Sequence, residues 1–169
     1  MTMQYDVKGS HFSGSGLAVS GRVRLKNLIY LGTGTAGSID IFDTTTAPVT
    51  TGTYARSGYT VTVTKTAHGL TTGQTVGITY AAASSVSAVA GNYVITVLTA
   101  DTFSITDLNT GTIAGGTACN YSTGKFITSY NTGTAVQPFQ AIFSGEGILA
   151  QNGIYVVVTN ISFQTIQYG

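Results

Sequence analysis

Arg22-Val-Arg-Leu-Lys-Asn-Leu-Ile-Tyr-Leu31 is the stretch whose reading decides the fold class. Successive side chains of an extended chain point to opposite faces, so Val23, Leu25, Asn27, Ile29 and Leu31 fall on one side. Arg22, Arg24, Lys26, Leu28 and Tyr30 fall on the other. That alternation predicts a half-buried β-strand. Three of the seven basic residues share one face. The stripe is read either as a solvated face or as a row meeting carboxylates such as Asp40 and Asp43, across the sheet or on a neighbouring subunit.

The same reading extends in both directions. Strands are expected at Gln4 to Lys8, Ser38 to Phe42, Tyr59 to Lys65, Gln74 to Tyr80, Tyr93 to Leu98 and Thr102 to Thr106. The last two would be joined by the three-residue turn Thr99-Ala100-Asp101. Later strands are expected at Thr117 to Tyr121, Lys125 to Tyr130, Ala135 to Phe143, Ile154 to Thr159 and Phe163 to Tyr168. About thirty threonines, ten tyrosines and frequent Val and Ile, set between 22 glycines, give β propensity almost everywhere. No helix is expected. Short strands with turns every 8–12 residues predict an all-β chain, an antiparallel β-sandwich of jelly-roll-like form.

Arg56-Ser57-Gly58 and Ser122-Thr123-Gly124 look alike as punctuation, and the segment between them is poor in charge. A discontinuous sandwich of residues 1–56 plus 124–169 is therefore expected, with a small β-barrel-like module inserted at 57–123. The first and last strands of such an insert must lie close together, because both linkers leave the host at one point.

Asp, Glu, Lys and Arg make up 8% of the 169 residues, against about 25% in ordinary soluble chains. With a net charge of +1, the long-range attraction for phosphate backbones or anionic membranes is missing, which argues against a nucleic-acid partner. A surface so poor in charge points to a subunit that hides part of itself in an assembly. The opening MTMQYDVKGSHF lacks the basic and apolar regions of a secretory signal, and no stretch approaches about 18 apolar residues, so neither export by that route nor a membrane span is expected. The single cysteine, Cys119, cannot form an internal disulfide.

Candidate chemistry is sparse. Gly32-Thr-Gly-Thr-Ala-Gly37 matches G-x-G-x-x-G, but a dinucleotide site needs a helix to open there, and Ser38 to Phe42 continues as a strand; a hairpin turn is expected. His68, before Gly69, reads as a turn residue. His11 lacks a spaced partner for zinc, and Cys119 reads as a small buried hydrophobe. Asp40, Asp43 and Glu146, the only glutamate, are too scattered for paired-carboxylate catalysis. Catalytic, metal-binding and cofactor residues are therefore all expected to be none. Tyr54, Tyr59, Tyr80, Tyr93 and Tyr121 lie in or beside the insert as core residues or as a patch for carbohydrate.

The segment Tyr59 to Val76, with its His68-Gly69-Leu70 turn, continues through Gly91-Asn-Tyr-Val-Ile-Thr-Val97 and Ala100-Asp-Thr-Phe-Ser-Ile105 to a glycine-rich close at Gly111 to Gly116. It resembles a recurrent small β-module of bacteriophage structural proteins, marked by "HGL..G..V". The flanks resemble small β-sandwich proteins of tailed phages, especially podovirus-like cyanophages. The matching pieces are Ser20 to Lys26, Gly37 to Thr44, Gly145 to Leu149, Gly153 to Val156 and the ending Tyr168-Gly169.

This resemblance implies a non-enzymatic structural subunit of the virion, a tail accessory (ring or fibre-attachment) or head-decoration protein. Its partners would be its own copies, as a homo-oligomer, and other virion proteins. Arg22, Arg24, Lys26, Asp40, Asp43 and Glu146 are the expected assembly contacts. The alternative is a host-surface carbohydrate-binding module for receptor recognition.

Overall fold

The structure, a computed structural model, describes residues 7–81, 87–134 and 136–169. Fourteen strands follow one another: β1 (Lys8–Phe12), β2 (Gly16–Ser20), β3 (Val23–Gly32), β4 (Ser38–Asp43), β5 (Val49–Thr64), β6 (Thr75–Tyr80), β7 (Gly91–Val94), β8 (Thr96–Thr99), β9 (Thr102–Ser122), β10 (Lys125–Asn131), β11 (Pro138–Ile142), β12 (Ile148–Ala150), β13 (Gly153–Thr159) and β14 (Ile161–Tyr168). The described chain is all-β, without a helix, as the alternation and composition predict. It divides into two compact units, Met1–Ala47 with Ile127–Gly169, and Pro48–Phe126.

In the first unit one sheet runs β1-β14-β3-β11, with β12 also paired to β3, and another runs β10-β4-β13-β2. Leu25, Leu28, Tyr30, Ile161 and Ile166 of the first sheet share a core with Ala18, Ile39, Ile41, Ile154 and Val156 of the second. Two antiparallel sheets closing on one apolar layer make a β-sandwich. One flank of it is formed by β1 and β2, linked where the Ser10 hydroxyl donates to the Ala18 carbonyl at 2.6 Å. The other flank is formed by β10 and β11.

The deciding stretch is a strand, but its alternation breaks once. Gln167 pairs with Asn27 and Tyr168 with Leu25, leaving Lys26 as an extra residue opposite β14. On the other side, β11 pairing stops at Asn27 and β12 pairing starts at Leu25. A bulge of this kind shifts the phase of a strand. Leu25 is buried before it and Leu28 and Tyr30 after it, all in one core, whereas Asn27 pairs with Gln167 on the other face and donates to its side-chain carbonyl, and Ile29 and Leu31 are only half-buried. Arg24 and Lys26 thus do not share a face with two exposed hydrophobes.

The Gly32 to Gly37 run ends β3 in one sheet and leads to β4 in the other, so it is an inter-sheet connection and not a hairpin. Gly37 is required there by close approach: a Cβ would lie 2.1 Å from the Thr159 carbonyl oxygen.

In the second unit β5 and β9 form a long antiparallel ribbon, with β6 paired to the far end of β9 and β8 to its near end. Val61, Val63, Phe103 and Ile105 from one end of the ribbon share a core with Tyr54, Cys119 and Tyr121 from the other, joined by Val76, Ile78 and Ile95. Arg56-Ser57-Gly58 lies inside β5, so the unit begins at Pro48 where the sequence reading placed the boundary at 56/57. Its end, at 126/127, is three residues beyond the expected 123/124.

The expected strand Tyr93 to Leu98 is two strands. Buried Ile95 separates them, exchanging backbone hydrogen bonds with Gly73 and Gln74 while β7 pairs with β6 and β8 with β9. Thr99 pairs with Thr102, so the following turn has two residues, Ala100 and Asp101. The expected strands Thr102 to Thr106 and Thr117 to Tyr121 are parts of β9. Strands β2 and β12 and residues 49–58 of β5 are not among the expected strands, and β1 shares only Lys8 with the expected strand Gln4 to Lys8. Gln4 to Asp6 and Ala135, at the ends of two expected strands, lie outside the described residues.

Candidate functional site

The bulge at Lys26 organises the charged surface. Pairing of Ile148 with Leu25 brings the turn Ser144 to Gly147 beside β3. Gly147 has a φ of +76°, and a Cβ on it would lie 2.2 Å from the Leu25 carbonyl oxygen. Across this contact Arg24 Nη2 lies 3.0 Å from Glu146 Oε2, and Lys26 Nζ donates to the Glu146 carbonyl at 2.8 Å. The pair is largely solvated, which limits its worth to about 1 kcal/mol. Arg22 is exposed just before β3.

The other two candidates are elsewhere. Asp43, at the end of β4, is buried, and its carboxylate accepts the backbone N–H groups of Gln151, Asn152 and Gly153 at 2.8, 2.7 and 3.2 Å. It fixes the turn from β12 to β13. Asp40 is buried too and accepts the Ser129 hydroxyl at 2.5 Å. The basic stripe therefore meets Glu146, not Asp40 and Asp43, because β3 and β4 belong to different sheets.

Sequence reasoning missed a buried ion pair in the second unit. Arg56 Nη2 lies 2.8 Å from Asp107 Oδ2, with neither side chain exposed. The guanidinium also donates to the Gly58, Ser87 and Asn109 carbonyls. Asp107 accepts the Leu108 and Val89 N–H groups and the Tyr93 hydroxyl. Burial, then Asp107, pushes the Tyr93 phenol up to about 12. Four acceptors inside the fold, Asp107 and three carbonyls, face the guanidinium, which suits a structural role.

The insert tyrosines are mostly interior. Tyr54 and Tyr121 are buried, Tyr80 and Tyr93 half-buried, and Tyr59 is exposed. That weighs against a carbohydrate patch built from this set. Cys119 is buried and its thiol is pushed up to about 12 by that burial, leaving it protonated at neutral pH. His68 occupies its turn with both ring nitrogens engaged, Nδ1 accepting from the Leu70 N–H at 3.0 Å and Nε2 donating to the Thr99 carbonyl at 3.1 Å. His11 Nδ1 lies 2.9 Å from the Thr165 hydroxyl.

An open cleft lies in the first unit, on the flank between β10 and β11. Tyr30 pairs in register with Phe139, their rings stacked with centroids 4.9 Å apart, and the Tyr130 ring is 5.8 Å from Phe139. Tyr30 is 3% exposed and Phe139 43%. Burial, then the neighbouring Tyr130, raises the Tyr30 phenol above its usual pKa. Asn131, Gln137 and Pro138 complete much of the lining of a cavity of about 220 Å³, and none of the lining residues is charged. Thr132 holds the end of β10 by exchanging hydrogen bonds with Gly37, N–H to carbonyl at 3.0 Å and hydroxyl accepting N–H at 3.1 Å.

Among the described residues no group of three or more His, Cys, Asp or Glu is placed to hold a metal ion, and no helix is long and apolar enough to cross a membrane. Compared with protein-family models the chain matches none, and no curated protein matches it.

Proposed function

We propose that this chain is a non-enzymatic structural subunit of a bacteriophage virion, a tail accessory or head-decoration protein acting through contacts with its own copies and with other virion proteins. The observation that carries the reading is the character of its sheet edges. An exposed edge strand is a template for pairing with another chain, and monomers blunt it with Lys or Pro. Here β1, β10 and β11 carry Lys8, Lys125 and Pro138, whereas β2, β7 and β8 carry no Lys, Arg or Pro. Those three expose Leu17 (44%), Val94 (65%) and Leu98 (54%).

Apolar, unguarded edges on a chain with 8% charged residues suit burial against a neighbour. Arg22, Arg24, Lys26 and Glu146 would add polar contacts at the rim. Asp40 and Asp43 act inside the fold. The resemblance of the flanks and the insert to phage structural proteins supplies the setting.

Two measurements test the reading together: sedimentation of the purified chain from low to high micromolar concentration, and immunogold microscopy of phage particles that carry it. Oligomers and label on tail or head are expected. A chain that stays monomeric at high micromolar concentration and leaves the particles unlabelled would overturn the reading.

A further inference from the structure

We propose that the cleft between β10 and β11 binds one neutral sugar ring of a glycan, packed on Tyr130 and Phe139 and hydrogen-bonded by Asn131 and Gln137. The inference is independent of the assembly reading, since a monomer could use the same cleft.

The chemistry of the lining selects the ligand. A sugar ring has an apolar C–H face and a rim of hydroxyls that both donate and accept. An aromatic wall beside side-chain amides is complementary to it, because each amide offers two N–H donors and a carbonyl acceptor. Asn131 and Gln137 make no side-chain hydrogen bond among the described residues, and the Tyr30 and Tyr130 hydroxyls likewise have none there. These groups converge on one cavity with polar capacity to spare.

Charge and size narrow the class. With no Lys, Arg, His, Asp or Glu in the lining, an anionic sugar or a phosphate would lose its hydration without gaining a counter-charge. Pockets for drug-sized ligands run about 300–1,000 Å³. A cleft of about 220 Å³ takes a single ring. Its walls are set in advance: the Tyr30–Phe139 stack is a cross-strand pair within a sheet, and the Thr132–Gly37 clamp holds β10. Pro138 guards β11 against pairing with another chain, which keeps this flank open. One-ring affinity is weak, and several copies on one particle would strengthen binding to a repeating glycan by avidity.

The test is ligand-observed NMR with the full chain and a panel of methyl glycosides: neutral hexoses, 6-deoxyhexoses, N-acetylhexosamines and, as the charged comparison, a glucuronide. At least one neutral glycoside should bind, and the glucuronide should not. Phe139→Ala should abolish the signal, and Gln137→Ala, an exposed side chain whose loss leaves the fold intact, should weaken binding about five- to tenfold. Tyr59→Ala, the exposed tyrosine of the other unit, should change nothing. If Phe139→Ala fails to fold, Gln137→Ala and Asn131→Ala carry the test. No binding by the wild-type chain, equal binding by the glucuronide, unchanged binding by the Gln137 and Asn131 variants, or loss on Tyr59→Ala would each overturn the proposal. A chain that stays monomeric and leaves the particles unlabelled yet binds the neutral glycoside would overturn the assembly reading and leave this one standing.

Discussion

Arg56 on β5 and Asp107 on β9 meet at 2.8 Å with both side chains wholly out of solvent, in the middle of the long ribbon that builds the second unit. Arg56 sits between two irregularities of that ribbon, one between Tyr54 and Arg56 and one between Gly58 and Thr60, and Asp107 belongs to the stretch of β9 that the second leaves without a ladder partner on β5. Where the ladder is interrupted, the guanidinium takes over as hydrogen-bond donor to the Gly58, Ser87 and Asn109 carbonyls. It replaces lost backbone pairing with side-chain pairing.

Removing one partner should therefore be costly. Asp107→Ala strands a buried guanidinium, a class of change that destabilises by about 3–5 kcal/mol. The double variant Arg56→Met, Asp107→Leu should recover only part of that loss: no charge is then left buried, but the Gly58, Ser87 and Asn109 carbonyls and the Val89 and Leu108 N–H groups lose their partners. Urea unfolding of the three proteins checks this. A single variant within about 1 kcal/mol of wild type would mean that water reaches the pair.

Two of the three acidic residues expected as docking contacts, Asp43 and Glu146, should respond differently to mutation. Asp43→Ala leaves three backbone N–H groups at the β12–β13 turn without their acceptor and should cost at least about 1.5–3 kcal/mol. Glu146→Ala removes a solvated ion pair and should cost under about 1 kcal/mol. Thermal unfolding of both variants, measured side by side, distinguishes a buried anchor from a surface charge.

How far the sequence led can be judged from particular strands. Val61 and Val63 alternate with threonines in the sequence and are both buried in the structure, because that part of β5 keeps a regular ladder with β9. The alternation of β3 misled after Lys26, since the bulge depends on the register of β14 and on where β11 gives way to β12. Ile95 broke one expected strand into two for a similar reason, as its backbone is claimed by Gly73 and Gln74. The Arg56–Asp107 pair was invisible because it depends on a pairing between distant segments. Tyr30, Tyr130 and Phe139 come from three different strands, so no local motif announces their cleft.

Alkaline pH should loosen the second unit earlier than the backbone alone would predict. Burial raises Cys119 from an ordinary value of 9.0 to about 12, and burial with Asp107 raises Tyr93 from 10.0 to about 12. A group whose pKa is higher when folded holds its proton more tightly in the native state. Its contribution is complete below the unfolded pKa and is lost as pH rises through the folded one. Stability should fall between about pH 9 and 12. In Cys119→Ala the fall should start nearer pH 10 and be shallower, and urea midpoints across that range check the sign.

Guarding the bare edges should separate folding from assembly. Leu17→Lys on β2 and Val94→Lys on β7 replace exposed side chains, so neither removes a buried contact and each should change stability by no more than about 0.5 kcal/mol. A lysine on an edge must be desolvated if a second strand pairs there, which is how natural sheets discourage such pairing. Either variant that touches the interface should therefore shift the sedimentation profile toward monomer while leaving circular dichroism and the thermal midpoint nearly unchanged. Ile142→Lys on β11, where Pro138 already guards the edge, should leave the oligomeric state as it is. The reverse pattern, with Ile142→Lys dispersing the oligomer and the other two having no effect, would place the contact on the flank that carries the aromatic cleft, and the cleft would then be covered in the assembled form.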